Sequence, residues 1–306
     1  MDGLTVLERG WLSSNNIVIH PAADESGAVL VDTSHVTHAE QTATLVAHAL
    51  RGAPLARIVN THLHSDHCGG NATLKAAYGV PIAVPPGLRR AVAQWDPAVL
   101  NYEASGQLCE RFVADEELSV DEPMRAGGRD WEVLPAPGHD PDAVILFDRA
   151  NGVLISADAL WENGFGAVFP ELEGEPGFDD VGAVFDLIAT LPIRVVVPGH
   201  GSPFTDVPGA LARARRRLAG FHSDPQRHAR FGIKMLIKYH LMEVRRQPMD
   251  ELLDWAVHTP YLHAIRQQHF EAQGNARAWL SALVDELLGS GALQREGEDV
   301  VDAVAR

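Results

Sequence analysis

His62 and His64 stand two residues apart, and Asp66 and His67 follow at once in the run Thr61-His62-Leu63-His64-Ser65-Asp66-His67-Cys68-Gly69-Gly70. In an extended backbone alternate side chains share a face, so the two histidines point the same way. The chain must then turn, bringing Asp66 and His67 back toward them. Imidazole and carboxylate groups converging on one point suit zinc, iron or manganese. Three later segments repeat one format, an apolar run that ends in an ionisable group: Trp131–Leu134 before Gly138-His139-Asp140, Val153–Ser156 before Ala157-Asp158, and Val195–Val197 before Pro198-Gly199-His200. Taken singly, His139 and His200 read more readily as turn histidines and Asp158 as a helix cap. Together they supply the remaining ligands of a metal site, because strand ends fix a side chain while the following loop leaves room for a ligand.

The elements that position these residues are short. Strands are expected at 4–8, 16–20, 28–32, 56–60 and 81–84, with a helix at 39–50 and another from Gly70 to Tyr78. Residues 87–110 read as helix with an irregular linker. Strands return at 111–114, 117–120, 130–135, 143–147 and 152–156, with hairpin turns at Gly127-Gly128 and Asn151-Gly152. A Gly/Pro/Glu-rich loop is expected at 164–177, then a helix at 179–190 and a buried strand at 193–197. This order predicts an α/β protein with two packed sheets and helices outside, a four-layer αββα sandwich. The expected domains are a catalytic one over 1–206 and a mostly helical one over 207–306. In the latter, Ile233, Leu236, Ile237, His240 and Leu241 form one helical stripe, and a hairpin near 291–301 gives a winged-helix-like ending.

Composition narrows the function classes. The 306 residues are 46% hydrophobic and carry a formal net charge of −16, which argues against broad affinity for nucleic acid or an anionic membrane. No apolar run reaches the ~18 residues of a spanning helix, and Met1–Thr5 lacks a signal-peptide pattern. Two cysteines, Cys68 and Cys109, are too few for a disulfide framework, so a reducing cytoplasm is the expected setting. Cys68 is read as packing the start of a helix.

The motif set resembles the metallo-β-lactamase superfamily: Thr-His-Leu-His-Ser-Asp-His at 61–67, Pro-Gly-His at 137–139, Ser-Ala-Asp at 156–158 and Pro-Gly-His-Gly at 198–201. Carried over residue by residue, the resemblance implies that His62, His64 and His139 hold a first divalent metal. Asp66, His67 and His200 would hold a second, with Asp158 bridging. Zinc is the first expectation, iron or manganese the alternatives. Two such ions ~3.5–4 Å apart lower the pKa of a shared water, giving a hydroxide that attacks a carbonyl carbon. Asp66 is expected to ligate metal and, as a catalytic residue, to orient the nucleophile or pass its proton on. Asp32, at an early strand end, is a candidate to fix the tautomer of a ligand histidine.

The full ligand set resembles that of hydroxyacylglutathione hydrolases, so a small-molecule thioester or related acyl substrate leads. An Asp at the bridging position departs from the β-lactamase branches, and Leu160–Phe165 lacks the Tyr typical of the lactonase branch. Two other readings have the same resemblance behind them: a mononuclear iron sulfur (persulfide) dioxygenase, and an endoribonuclease or nucleic-acid-binding protein. For the latter, Arg213–Arg217, Arg227, Arg230, Lys234 and Lys238 are the basic candidates. Arg230, Lys234, Lys238 and Tyr239 could instead meet an anionic carrier, and Trp161, Phe165 and Phe169 could line an acyl pocket. The helical tail could fold over the metal edge as a lid, or pair two copies into a homo-oligomer.

Overall fold

The computed structural model describes residues 1–303. Its first sheet is six-stranded in the order β1 (Leu4–Leu7), β2 (Asn16–Ile19), β3 (Ala28–Val31), β4 (Leu55–Val59), β5 (Ile82–Val84), β6 (Glu116–Glu117). The first three strands run antiparallel and β3 to β6 parallel. The connections carry helix α1 (Ala39–Leu50), then α2 (Ser65–Cys68) and α3 (Asn71–Tyr78), then the short α4 (Arg89–Gln94), α5 (Pro97–Leu100) and α6 (Tyr102–Ser105). The second sheet has five strands, β7 (Met124–Ala126), β8 (Arg129–Pro135), β9 (Val144–Asp148), β10 (Val153–Ala157) and β11 (Val195–Pro198), antiparallel except for the β10–β11 pair. Between β10 and β11 lie α7 (Phe169–Glu173) and α8 (Phe178–Thr190).

The period of two along the strands decides the layers. Ile17, Ile19, Val29 and Val31 face Trp131, Val133, Leu146, Val153 and Ile155 between the sheets. Their neighbours Val18, Leu30 and Ile58 point outward onto Val46 and Leu50 of α1 and Leu74 of α3. On the other side Ile145, Phe147 and Leu154 meet Phe185 and Ile188 of α8. Strands buried on both faces read as unbroken apolar runs, as these do. The sandwich is thus αββα.

α9 (Val207–Ser223) and α10 (Pro225–Val244) follow, each with Pro in its first turn and an Asp side chain capping it. Val207, Ala210, Leu211, Ala214 and Phe221 of α9 pack into the α8 layer of the sandwich. Phe231 of α10 packs there too; a division into 1–206 and 207–306 stays a proposal. Ile233, Leu236, Ile237 and Leu241 of α10 pack instead with α11 (Met249–His258), α12 (Pro260–Phe270) and α13 (Ala276–Gly289). The expected terminal hairpin, β13 (Leu293–Glu296) with β14 (Asp299–Asp302), gains a third strand, β12 (Arg246–Pro248). No helix among the described residues is long and apolar enough to cross a membrane.

Three expectations need correction. Residues 111–114 form no strand, because Phe112 and Ala114 bury themselves in the α1/α3-side core instead of pairing with a neighbour. The strand expected at 117–120 shrinks to the two residues of β6, where only Ala83 and Val84 offer partners. The loop at 164–177 contains α7, started by Pro170 and closed by Gly174 at φ 85°.

Candidate metal centre

β3, β4, β8, β10 and β11 all end at one edge of the sandwich, and each delivers an ionisable group there: Asp32, then His62 and His64, then His139, Asp158 and His200. Backbone detail makes this convergence possible. Ala157, just before Asp158, takes a left-handed φ of 45° beside a bulge in the β10–β11 register. Gly199 lies so close that a Cβ there would sit 2.2 Å from Asp158 Oδ1.

The donor atoms fall into two adjoining groups. Donor atoms of His62, His64 and His139 lie within 4.8 Å of one another, and so do those of Asp66, His67, Asp158 and His200. Asp158 faces both groups: its Oδ2 is 3.4 Å from His139 Nε2 and its Oδ1 is 3.4 Å from His67 Nε2. His64 Nδ1 lies 2.8 Å from His139 Nε2, and His200 Nε2 lies 3.0 Å from Asp66 Oδ2. All seven residues predicted from the sequence are brought together.

The partners behind the rings fix which nitrogen faces inward. His67 Nδ1 donates to Asp32 Oδ2 at 2.7 Å, and Thr61 donates to the same carboxylate through its N–H (2.9 Å) and hydroxyl (2.8 Å). His139 Nδ1 donates to the carbonyl of Ala167 at 2.5 Å. His64 Nε2 lies 3.6 Å from Asp140 Oδ2. These contacts leave His67 Nε2, His139 Nε2 and His64 Nδ1 turned to the centre. The Nε2 atoms of His62 and His67 are buried without a hydrogen-bond acceptor or donor. Buried polar atoms are rarely left so, and neutral imidazole nitrogens beside carboxylates are the donors that a divalent cation takes. The residues present therefore fit a two-metal site.

Electrostatics follow from burial and crowding. Burial, helped by neighbouring histidines, holds His62 well below the ordinary imidazole range. Burial likewise brings His64 and His139 down to about 4. Burial would also depress His67, but the carboxylates of Asp158, Asp32 and Asp66 overcome it and raise the group. For Asp158 and Asp66 burial acts upward, and the surrounding histidines more than offset it, keeping both ionised.

The site opens into a cavity of about 470 Å³. Trp11 stacks on His200 at 5.1 Å, and Trp161 donates its indole N–H to Asp158 Oδ1 at 3.2 Å. Phe169 packs 4.6 Å from the His64 ring. Of the three aromatics expected in an acyl pocket, Trp161 and Phe169 line the cavity, whereas Phe165 is buried in the α8/α9 core. The lid position expected of the tail is filled by α10, whose Lys234, Met235, Lys238, Tyr239 and Met242 form one wall. Tyr239 reaches Ser65 of the ligand loop at 3.0 Å. Cys68 packs beside Tyr102, as expected at the helix start.

The basic run in α9 is partly engaged within the protein. Arg213 pairs with Asp206 and Arg215 with Asp186, while Arg217 turns inward. Arg230 is paired with Glu286. Trp11, Asp140 and the Ala167 carbonyl went unnoticed as site groups in the sequence. Of these only Asp140, a carboxylate next to His139, left a signal that spacing could have revealed.

The sequence profile of the metallo-beta-lactamase superfamily matches residues 9–200. Among curated relatives, the hydroxyacylglutathione hydrolase of Rhodopseudomonas palustris (strain HaA2) is 30% identical over 45% of this chain and 46% of its own length. That of Synechococcus sp. (strain JA-3-3Ab) is 32% identical over 56% of this chain and 58% of its own. The probable metallo-hydrolase YqgX of Bacillus subtilis is 31% identical, over 50% of this chain and 71% of its own. The chain thus spans about half the length of the two hydroxyacylglutathione hydrolases. Among solved structures, the metallo-beta-lactamase family protein TTHA1429 of Thermus thermophilus aligns over 99% of both chains with TM-score 0.56 and 21% identity. The BLEG-1 B3 metallo-beta-lactamase aligns over 68% of this chain and 96% of its own with TM-score 0.56 and 24% identity. The profile, which spans more than half of the chain, shows that this chain belongs to the metallo-beta-lactamase superfamily.

Proposed function

We propose that the chain hydrolyses a thioester or related ester of a small molecule at a dinuclear metal site. The observation that carries this reading is Asp158, whose carboxylate faces both donor groups at 3.4 Å. His62, His64 and His139 would hold one ion and Asp66, His67 and His200 the other, with Asp158 shared; zinc is our first assignment, iron or manganese the alternatives. Ions bound there would supply a water of near-neutral pKa and polarise the acyl carbonyl. Asp32 and the Ala167 carbonyl hold His67 and His139 in the tautomers that donate inward. Trp161 steadies Asp158, and Asp66, kept ionised by His67 and His200, would ligate metal and orient the attacking water. Trp11, Phe169 and α10 wall the cavity beside the donor groups. The hydroxyacylglutathione hydrolases among the relatives support the thioester over other acyl bonds. The free thiols of Cys68 and Cys109, 3.9 Å apart, suit a reducing cytoplasm.

Elemental analysis of the protein as purified, followed by a thioester and ester panel, tests the reading. About two divalent ions per chain with thiol release from a thioester is the expected result. One iron per chain with oxygen uptake on a persulfide would replace it by the dioxygenase alternative. A two-metal protein inert toward every thioester and ester would overturn it.

A further inference from the structure

Three cationic side chains line the cavity: Arg217, Lys234 and Lys238. Two are committed to the protein. Lys234 lies 3.3 Å from Glu286, and Lys238 pairs with Asp302 and donates to the Ala292 carbonyl at 2.6 Å. Arg217 differs. Among the described residues its guanidinium has neither a carboxylate partner nor a hydrogen bond, although it is largely buried. It lies over the rings of Phe231 at 4.6 Å, Phe221 at 5.2 Å and Phe165 at 5.3 Å. These rings hold the guanidinium in place, and the side chain forms part of the cavity wall. Room is made for it: a Cβ on Gly164 would sit 2.6 Å from Nη1.

The loop that makes this room also serves the metal ligands, since Gly166 donates its N–H to the Asp158 carbonyl at 2.9 Å and Ala167 accepts from His139. The cavity that Arg217 shares with the ligand histidines and Asp158 is otherwise walled largely by apolar side chains, among them Phe169, Phe231 and Met235. A buried guanidinium without an acceptor leaves strong donors unused, and its flat fork matches one carboxylate. We propose that Arg217 is a specificity-determining residue, and that the substrate carries a carboxylate joined to the scissile ester through an apolar spacer. This rests on the hydrolase reading above. The carboxylate could sit on the acyl half or on the leaving thiol; the chemistry at Arg217 is the same.

The test uses the metal-loaded full chain and three thioesters: octanoyl-N-acetylcysteamine, its ω-carboxy counterpart suberoyl-N-acetylcysteamine, and octanoyl-3-mercaptopropionate. One of the two charged compounds should exceed the uncharged one in kcat/KM by about 10–100-fold, chiefly through KM. Which one does so tells which half bears the carboxylate. Arg217→Met should abolish the advantage and Arg217→Lys retain part of it, with metal content and near-ultraviolet circular dichroism checking the fold; Arg217→Gln stands in if the Met variant does not fold. Equal turnover of all three, or an advantage that survives in Arg217→Met, overturns the proposal while leaving the hydrolase reading intact. If none is cleaved, calorimetric binding of the same compounds decides. Tighter binding of a charged compound, lost in Arg217→Met, upholds the carboxylate site; equal binding overturns it.

Discussion

Replacing Asp32 by Asn probes the metal centre from behind. Asp32 is 2% exposed and accepts three hydrogen bonds, one from His67 and two from Thr61. Its φ of 59° is a left-handed conformation that Asn tolerates nearly as well as Asp, so the backbone should stay in place. The amide, however, brings an NH₂ against donors. With its oxygen on the Thr61 N–H, it presents that NH₂ to His67 Nδ1 and favours the tautomer that carries hydrogen on Nε2, the nitrogen meant for metal. A charge-assisted hydrogen bond of this kind contributes about 1.5–3 kcal/mol. At about 1.4 kcal/mol per tenfold, that is roughly 10–100-fold in affinity for one ion. Titration with zinc against a chromophoric chelator reads the two dissociation constants separately, and only one should weaken. If Asp32→Asn held both ions within about twofold of the parent protein, the inference that Asp32 sets the His67 tautomer would be wrong.

Three further predictions concern other parts of the molecule. Gly199→Ala would place its Cβ 2.2 Å from Asp158 Oδ1 and 3.0 Å from His67 Cε1; displacing the shared carboxylate should lower kcat by about 100-fold, with metal content measured alongside. Burial first, then the positive charges of Arg217 and His269, depress the His228 imidazole to about 3 against an unfolded value of 6.5. Its folded pKa lies below the unfolded one, so its contribution is complete above pH 6.5 and is lost as pH falls toward 3, at about 1.4 kcal/mol per unit. His228→Gln should therefore narrow the stability gap between pH 7 and pH 5 by about 2 kcal/mol in urea unfolding. Ile237→Ala, at a fully buried position of the core formed by α10 to α13, should cost about 2–5 kcal/mol in the same assay.

The ligands were legible because each announces itself locally, as an apolar run ending in His or Asp beside Gly. Strand alternation likewise separated the layers, since Val18 and Ile17 must face opposite cores. What the chain hid depends on contacts distant in sequence. Trp11 reaches His200 across most of the sandwich sequence, and nothing near Trp11 hints at it. The Ala167 contact to His139 uses a backbone carbonyl, which every residue possesses. Phe165 and Phe169 are the same residue type, yet one enters the α8/α9 core from the loop and the other, the first residue of α7, lines the cavity. The basic run of α9 shows the same limit. Spacing places Arg213, Arg215 and Arg217 on one helix, but only the positions of Asp206, Asp186 and three phenylalanines decide their separate fates.

α10 presents two stripes to two different tasks. Ala229, Ile233, Leu236, Ile237 and Leu241 hold the tail together, while Phe231, Lys234, Met235, Lys238 and Met242 face the reaction chamber. Because neighbouring positions on a helix point in different directions, one rigid element joins the two tasks. The chamber stripe is itself tied to the tail, through Lys234 to Glu286, Lys238 to Asp302 and Met235 against the helical core. The shape of the chamber therefore depends on how the tail folds, and a mutation that loosens the tail would reshape the pocket far from any ligand-bearing strand end.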